Sequence, residues 1–276
     1  MAGALALLGA CGWGVGDFLG GLASRRLSVL TVLGVSQIAG LVLLSIWVLV
    51  AGEPFPGATA LLPAAVAGVV LVIGLGALYQ GLAIGVMGIV APISASYPLI
   101  PLAVDAVRGL SPSALQWAGA MLVLVGIGVI SREPTPDGGR LAAGVVLALT
   151  AAVAFGVYIV GIDLSSDESA PWTALVVRIA SVAVVVGGLL ATSTSLRAPA
   201  ALLPVLVLIG LVDGGANATI TLATTKGAAG IVAVLSALYP LVTIALARVF
   251  LGERLSLVRR MGGIVALGGA ALVAAG

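Results

Sequence analysis

Histidine does not occur in this chain, and cysteine occurs once, at position 11. Without imidazole there is no His-based triad, no histidine proton relay, no H-E-x-x-H metal site and no haem ligation by histidine. A lone cysteine cannot close an intrachain disulfide. Charge is scarce too. Only 8% of residues are Asp, Glu, Lys or Arg, against about 25% in a soluble domain. The formal net charge is +2, and the basic residues lie between apolar segments rather than in a patch interleaved with aromatics. No nucleic-acid partner is expected. No motif requires a cofactor or a metal.

What the chain does have is apolar length. Of its 276 residues 61% are hydrophobic, and the mean hydropathy is +1.30. This predicts an all-α integral membrane protein, because only helices satisfy their own backbone in lipid at these segment lengths. A span needs about 20 mostly apolar residues. Ten segments qualify: 3–23, 28–51, 58–83, 88–108, 113–131, 141–162, 171–192, 200–225, 229–250 and 256–275. The first lacks a basic n-region and reads as a transmembrane helix rather than a signal peptide. The longest polar stretch, Ser131 to Arg140, carries prolines, glycines and four charges at mid-chain. It reads as a linker.

The two halves repeat. Gly88-Ile-Val-Ala-Pro-Ile-Ser-Ala-Ser-Tyr-Pro-Leu99 lies over Gly230-Ile-Val-Ala-Val-Leu-Ser-Ala-Leu-Tyr-Pro-Leu241 at a shift of 142, which carries Tyr97 to Tyr239. The same shift puts Trp13-Gly14-Val15 over Phe155-Gly156-Val157, and one extra residue brings Gly119 and Gly126 onto Gly262 and Gly269. The predicted organisation is a first five-helix repeat over 1–131, a linker over 132–140 and a second repeat over 141–276. Five is odd, so the second copy enters the membrane from the opposite side. These are two inverted five-helix repeats, ten transmembrane helices in all, an arrangement many secondary transporters use for alternating access.

The Trp13-Gly14 start, Tyr97-Pro98, Tyr239-Pro240 and Gly252-Glu253-Arg254-Leu255, set in two five-helix repeats, resemble the drug/metabolite transporter superfamily, EamA-type. The resemblance covers essentially the whole chain. It implies a central cavity lined by helices one, three, four, six, eight and nine, and export of amino acids or related compounds. It also implies cytoplasmic termini. The charge count points the other way: the even-numbered loops hold only Arg108 and Lys226 as basic residues, so the positive-inside rule puts the odd loops in the cytoplasm. Two departures from the family pattern stand out. Arg108-Gly-Leu-Ser111 replaces the first Gly-Glu-Arg-Leu, and Ser36 and Gln37 occupy the region of a frequent second-helix arginine, while Arg178 is present in the seventh helix. The expected location is the cytoplasmic (inner) membrane of a prokaryote. The expected partners are a small-molecule substrate and the lipid bilayer.

Ionisable groups inside a membrane are functional candidates by default, since charge at mid-bilayer costs about 2.5–3.5 kcal/mol on insertion scales. Trp13 and Asp17 stand one helical turn apart beside the small-residue stripe Gly12, Gly16 and Gly20. Asp17 is a lining residue of a transport path, or a group near a helix end hydrated from the loop and reached by Arg25 or Arg26. In helix eight, Asp213, Asn217 and Thr221 step by four along one face. Asp213 and Asp17 are the candidate proton-coupling groups; the structural alternative for Asp213 is an ion pair with Arg178. Pro98 and Pro240 remove backbone donors and are expected to kink helices four and nine. Ser94, Tyr97, Ser236 and Tyr239 beside them, with Tyr79, Gln80 and Tyr158, complete the predicted substrate-binding set.

Gly14-Val15-Gly16-Asp17-Phe18 also resembles the G-x-G-D motif of presenilin-type intramembrane aspartyl proteases. Such a protease needs two carboxylates sharing a proton. The Y-D context and the P-A-L motif of that family are missing, and the reading leaves the repeat unexplained. The expectation is therefore a secondary transporter and not an enzyme, moving a small organic metabolite by alternating access. An uncoupled facilitator or channel and a lipid-carrier translocator are the alternatives.

Overall fold

The computed structural model describes residues 1–110, 112–131, 138–252 and 256–275. Every regular element among them is helical. The first half holds α1 (Ala2–Ser24), α2 (Val29–Ala51), α3 (Leu62–Ile84), α4 (Met87–Ser94), α5 (Leu99–Val107) and α6 (Ala114–Ser131). The second holds α7 (Gly138–Ser166), α8 (Ala170–Thr192), α9 (Leu203–Thr224), α10 (Ala229–Ser236), α11 (Tyr239–Leu251) and α12 (Leu257–Ala275). α4 with α5, and α10 with α11, are each one span interrupted by a turn, so twelve helices make ten spans. Eight are long and apolar enough to cross a membrane on those criteria alone; α6 and α12, of 18 and 19 residues, complete the set. Residues 132–137 of the expected linker, and Glu253 to Leu255 of the Gly-Glu-Arg-Leu motif, lie outside the described residues.

The interruptions follow from chemistry. Proline has no N–H and its ring crowds the preceding turn. Pro98 caps α5 and Pro240 sits in the first turn of α11, the position a helix tolerates. The ends of the paired helices α2 and α8 show how closely the halves repeat. Ser28 and Ser169 cap their N-termini, accepting from Thr31 N at 3.1 Å and Trp172 N at 3.3 Å. At their C-termini, Gly52 and Ser193 both take left-handed backbone, φ 64° and 51°.

Packing is related by a pseudo-twofold. α1 lies on α9 as α7 lies on α3, and α2 on α9 as α8 on α3; α2 meets α8 and α6 meets α12, each its own counterpart. In lipid the hydrophobic effect does not draw helices together, so close approach through small residues must. A Cβ on Gly68 would stand 2.2 Å from the Val177 carbonyl, and one on Gly210 would stand 2.0 Å from the Ser36 carbonyl. Backbone cannot yield there. The outward stripe Leu62, Val66, Val69 and Ile73 of α3 is apolar and exposed, as a lipid-facing surface must be.

This packing makes a direct prediction. Gly210→Ala is expected to destabilise the fold by about 1–3 kcal/mol or more through overpacking. Gly215→Ala on the same helix, where a Cβ meets nothing within 4 Å, should be neutral or slightly stabilising. Thermal unfolding in detergent checks both, and equal melting temperatures would contradict the close-approach account.

Candidate functional site

Between the halves lies a small cavity lined by Trp13, Asp17, Leu71, Leu75, Phe155, Asp213 and Tyr239. α1, α3, α7, α9 and α11 each contribute. α1 is brought in by its glycines. A Cβ on Gly12 would meet Ala216 Cβ of α9 at 2.9 Å, one on Gly14 the Tyr239 carbonyl at 2.6 Å, and one on Gly20 the Tyr79 ring at 2.3 Å. The neighbouring stripe, Trp13 and Asp17, then faces the space left between the helices.

Hydrogen bonds join the polar wall. Trp13 Nε1–H donates to Asn217 Oδ1 at 3.0 Å, and the Tyr158 hydroxyl donates to the same oxygen at 3.2 Å. Asn217 Nδ2 donates to Asp213 Oδ2 at 3.1 Å. Arg178, with 0% of its surface exposed, donates from Nη2 to Asp213 Oδ2 at 2.7 Å and from Nη1 to Gln37 Oε1. Gly40 makes room for the guanidinium: a Cβ there would lie 3.0 Å from Arg178 Cζ. Tyr97, Tyr158 and Tyr239 surround Trp13 with ring centroids 6.3–6.5 Å away.

At the broken helices the repeat closes on itself. The Tyr97 hydroxyl bonds Ser236 Oγ at 2.6 Å, and Tyr239 makes the reciprocal bond with Ser94. The two serines also donate to their own helices, Ser94 to the Ala91 carbonyl and Ser236 to the Val232 carbonyl. Each therefore keeps an acceptor when its tyrosine hydroxyl is removed. Tyr97→Phe and Tyr239→Phe are expected to cost about 0.5–1.5 kcal/mol each, Tyr239→Phe the more, because its hydroxyl also donates to the Ala91 carbonyl at 3.3 Å. No loss in thermal unfolding for either variant would show that these bonds do not hold the broken helices together.

Asp17 stands apart. It is 5% exposed and lines the cavity, yet among the described residues its carboxylate forms no hydrogen bond and no ion pair. The expected contact from Arg25 or Arg26 is not formed. Asp213 beside it accepts two hydrogen bonds at Oδ2, one of them from Arg178.

The structure thus brings Trp13, Asp17, Asp213 and Tyr239 to one cavity, with Tyr97, Tyr158 and Asn217 bonded or stacked around them. Thr221 is buried beside Tyr158, Tyr79 packs on Gly20 behind Asp17, and Ser94 and Ser236 hold the tyrosines. Gln80 is not brought in. It continues the outward stripe of Leu62, Val66, Val69 and Ile73 and is exposed, because the α-helical turn that buries Tyr79 rotates its neighbour away. Sequence reasoning missed Gln37, a buried bonding partner of Arg178. Its signal was a lone amide in an apolar helix, in the register of Arg178 when Ser28 is laid over Ser169. It also missed Leu71, Leu75 and Phe155, which no pattern separates from other apolar residues.

A larger groove lies between the broken helices and α6 and α12. Ser96 is its one polar side chain and is satisfied by the Ile93 carbonyl. It offers no group that would select a solute, so the smaller cavity is the candidate site.

Ten helical spans in two repeats, with a cavity holding two carboxylates where the repeats meet, define a membrane transport protein. The chain belongs to the EamA-like transporter family, of the drug/metabolite transporter superfamily, which matches residues 1–132 and 142–275. A crystal structure 18% identical in sequence aligns over 96% of this chain and 96% of its own, with a TM-score of 0.68. That likeness establishes the fold alone. No curated protein sequence matches the chain.

Proposed function

We propose that this transporter moves a small organic metabolite, of the amino acids and their relatives, out of a prokaryotic cell across the cytoplasmic membrane. It does so by alternating access. Residues 1–131 and 141–276 act as the two halves, joined by 132–140, and rock about the cavity. Transport is coupled to protons at Asp17, while Asp213 serves the scaffold. The observation that carries this reading is a buried carboxylate without a protein partner, facing a cavity at the repeat interface. Such a group binds either a proton or a cationic solute, which is the exchange that proton antiport requires. A small cavity and the absence of a lysine or arginine among its lining residues favour a small solute over a phosphate ester.

The aspartyl-protease alternative loses support from the same geometry. Asp213 Oδ2 accepts from Arg178 and Asn217, and among the described residues no hydrogen bond joins the two acids as a shared proton would require.

The test is the metabolite content of the medium from cells expressing wild type, Asp17→Asn or an empty vector, by mass spectrometry at matched membrane levels. Accumulation of a few related compounds with wild type alone supports export. Medium indistinguishable from the empty vector contradicts it. Flux in proteoliposomes that ignores an imposed pH gradient would assign an uncoupled facilitator instead.

A further inference from the structure

Within the proposed transport role, and narrowing its substrate class, we infer that the cargo is a relative of the amino acids that carries their amine without their carboxylate: a small monocationic amine with an apolar or aromatic body. The argument is an inventory of what the cavity leaves unsatisfied. Trp13 Nε1–H is taken by Asn217. The Tyr239 hydroxyl is taken by Ser94 and the Ala91 carbonyl. Asp213 is held by Arg178 and Asn217. Among the described residues, Asp17 is the lining polar residue whose side chain forms no hydrogen bond or ion pair, while Asp213 is held through Oδ2. A ligand is therefore asked for one strong donor, and a charged donor serves a carboxylate best.

Charge balance narrows the class further. Arg178 and Asp213 neutralise each other, which leaves the cavity with the single charge of an ionised Asp17. The groups facing Asp17 are Asp213 from α9, Tyr79 from α3, Tyr97 and Tyr239 from the broken helices, and Arg178 behind Asp213. None is an uncommitted cation. One ammonium balances the site. A zwitterion would bring a further carboxylate in beside two acids, and the cation near them, Arg178, is already paired with Asp213, so its burial would be costly.

The walls fit the rest of such a molecule. The cavity has unlike halves, because the repeat puts different residues in equivalent places. Trp13, Asp17 and Asp213 supply polar atoms; their counterparts Phe155, Ile159 and Leu71 in the other repeat are apolar, and Phe155 and Leu71 line the same cavity with Leu75. An amine at Asp17 would sit among the faces of Trp13 and Tyr239, which attract cations, with its apolar body against Phe155 and the leucines.

Four probes sharing one ring separate charge from shape: 2-phenylethylamine, phenylalanine, phenylacetate and 2-phenylethanol. Each is titrated calorimetrically into the purified full-length protein. The amine is expected to bind most tightly. Asp17→Asn should weaken it by roughly tenfold to a hundredfold, the range for a hydrogen bond to a charged group, with little change for the alcohol. Asp17→Glu should retain part of the affinity. Thermal unfolding of each variant shows that it is folded. Equal or tighter binding of phenylalanine or phenylacetate overturns the assignment, as does amine binding unchanged in Asp17→Asn. Counterflow in proteoliposomes keeps the two readings apart. Amine binding without flux upholds the ligand class and overturns transport. Flux of phenylalanine without amine binding does the reverse.

Discussion

Asp213→Asn is expected to cost the fold about 3–5 kcal/mol, the range for breaking a buried ion pair from one side. The reason is the cation it leaves behind. Arg178 is fully buried, and a guanidinium cannot shed its charge. Its second anchor, Gln37, is neutral, so an uncompensated positive charge would remain among α2, α8 and α9. Arg178→Gln should be milder, because a stranded carboxylate can take up a proton and become neutral. The double variant Arg178→Gln with Asp213→Asn should recover much of the loss, since two neutral polar groups replace the pair. Melting temperature in detergent and folded yield from membranes are the measurements. A single Asp213→Asn variant as stable as wild type would overturn the scaffold role given to this pair.

Asp17→Asn should behave in the opposite way. No protein hydrogen bond is lost, and a desolvated, unpaired carboxylate is removed. Stability should be unchanged or raised, as happens when a strained functional group is replaced. Transport should fall by at least roughly tenfold, since the one cavity group without a protein partner would no longer attract a charged donor. The pair of results is the informative quantity: Asp213→Asn loses fold and transport together, Asp17→Asn loses transport alone. Equal flux through wild type and Asp17→Asn in proteoliposomes would remove Asp17 from the transport path.

The two acids looked alike in the sequence. Each lies in an apolar helix beside glycines, and Asp213, being nearer mid-segment, was the stronger coupling candidate. The structure pairs Asp213 and leaves Asp17 without an ion pair among the described residues, because pairing depends on helices distant in sequence. Arg178 reaches Asp213 only where α8 and α9 meet across α2, and no residue of α1's neighbours offers Asp17 the same. Other site features were more legible. The shift of 142 already set Tyr97 over Tyr239 and Ser94 over Ser236, and the structure joins these four in reciprocal pairs. Gln80 illustrates the limit: adjacency to Tyr79 suggested a shared role, yet one step along a helix turns the side chain by about 100°.

Composition and periodicity by themselves determined the class of solvent, the helical spans and the repeat. Each is a property of single segments or of one half laid over the other. Hydrocarbon demands long apolar helices whatever their neighbours, and a duplicated sequence carries its register with it. Tertiary structure alone decided which acid is paired, which amide faces lipid and which leucines wall the cavity. Those outcomes depend on the rotation and close approach of whole helices, set by glycine-to-carbonyl contacts such as Gly68 to Val177 and Gly210 to Ser36. A few tenths of an ångström at such a contact decide which side chains can meet, and that distance is not written in any one segment.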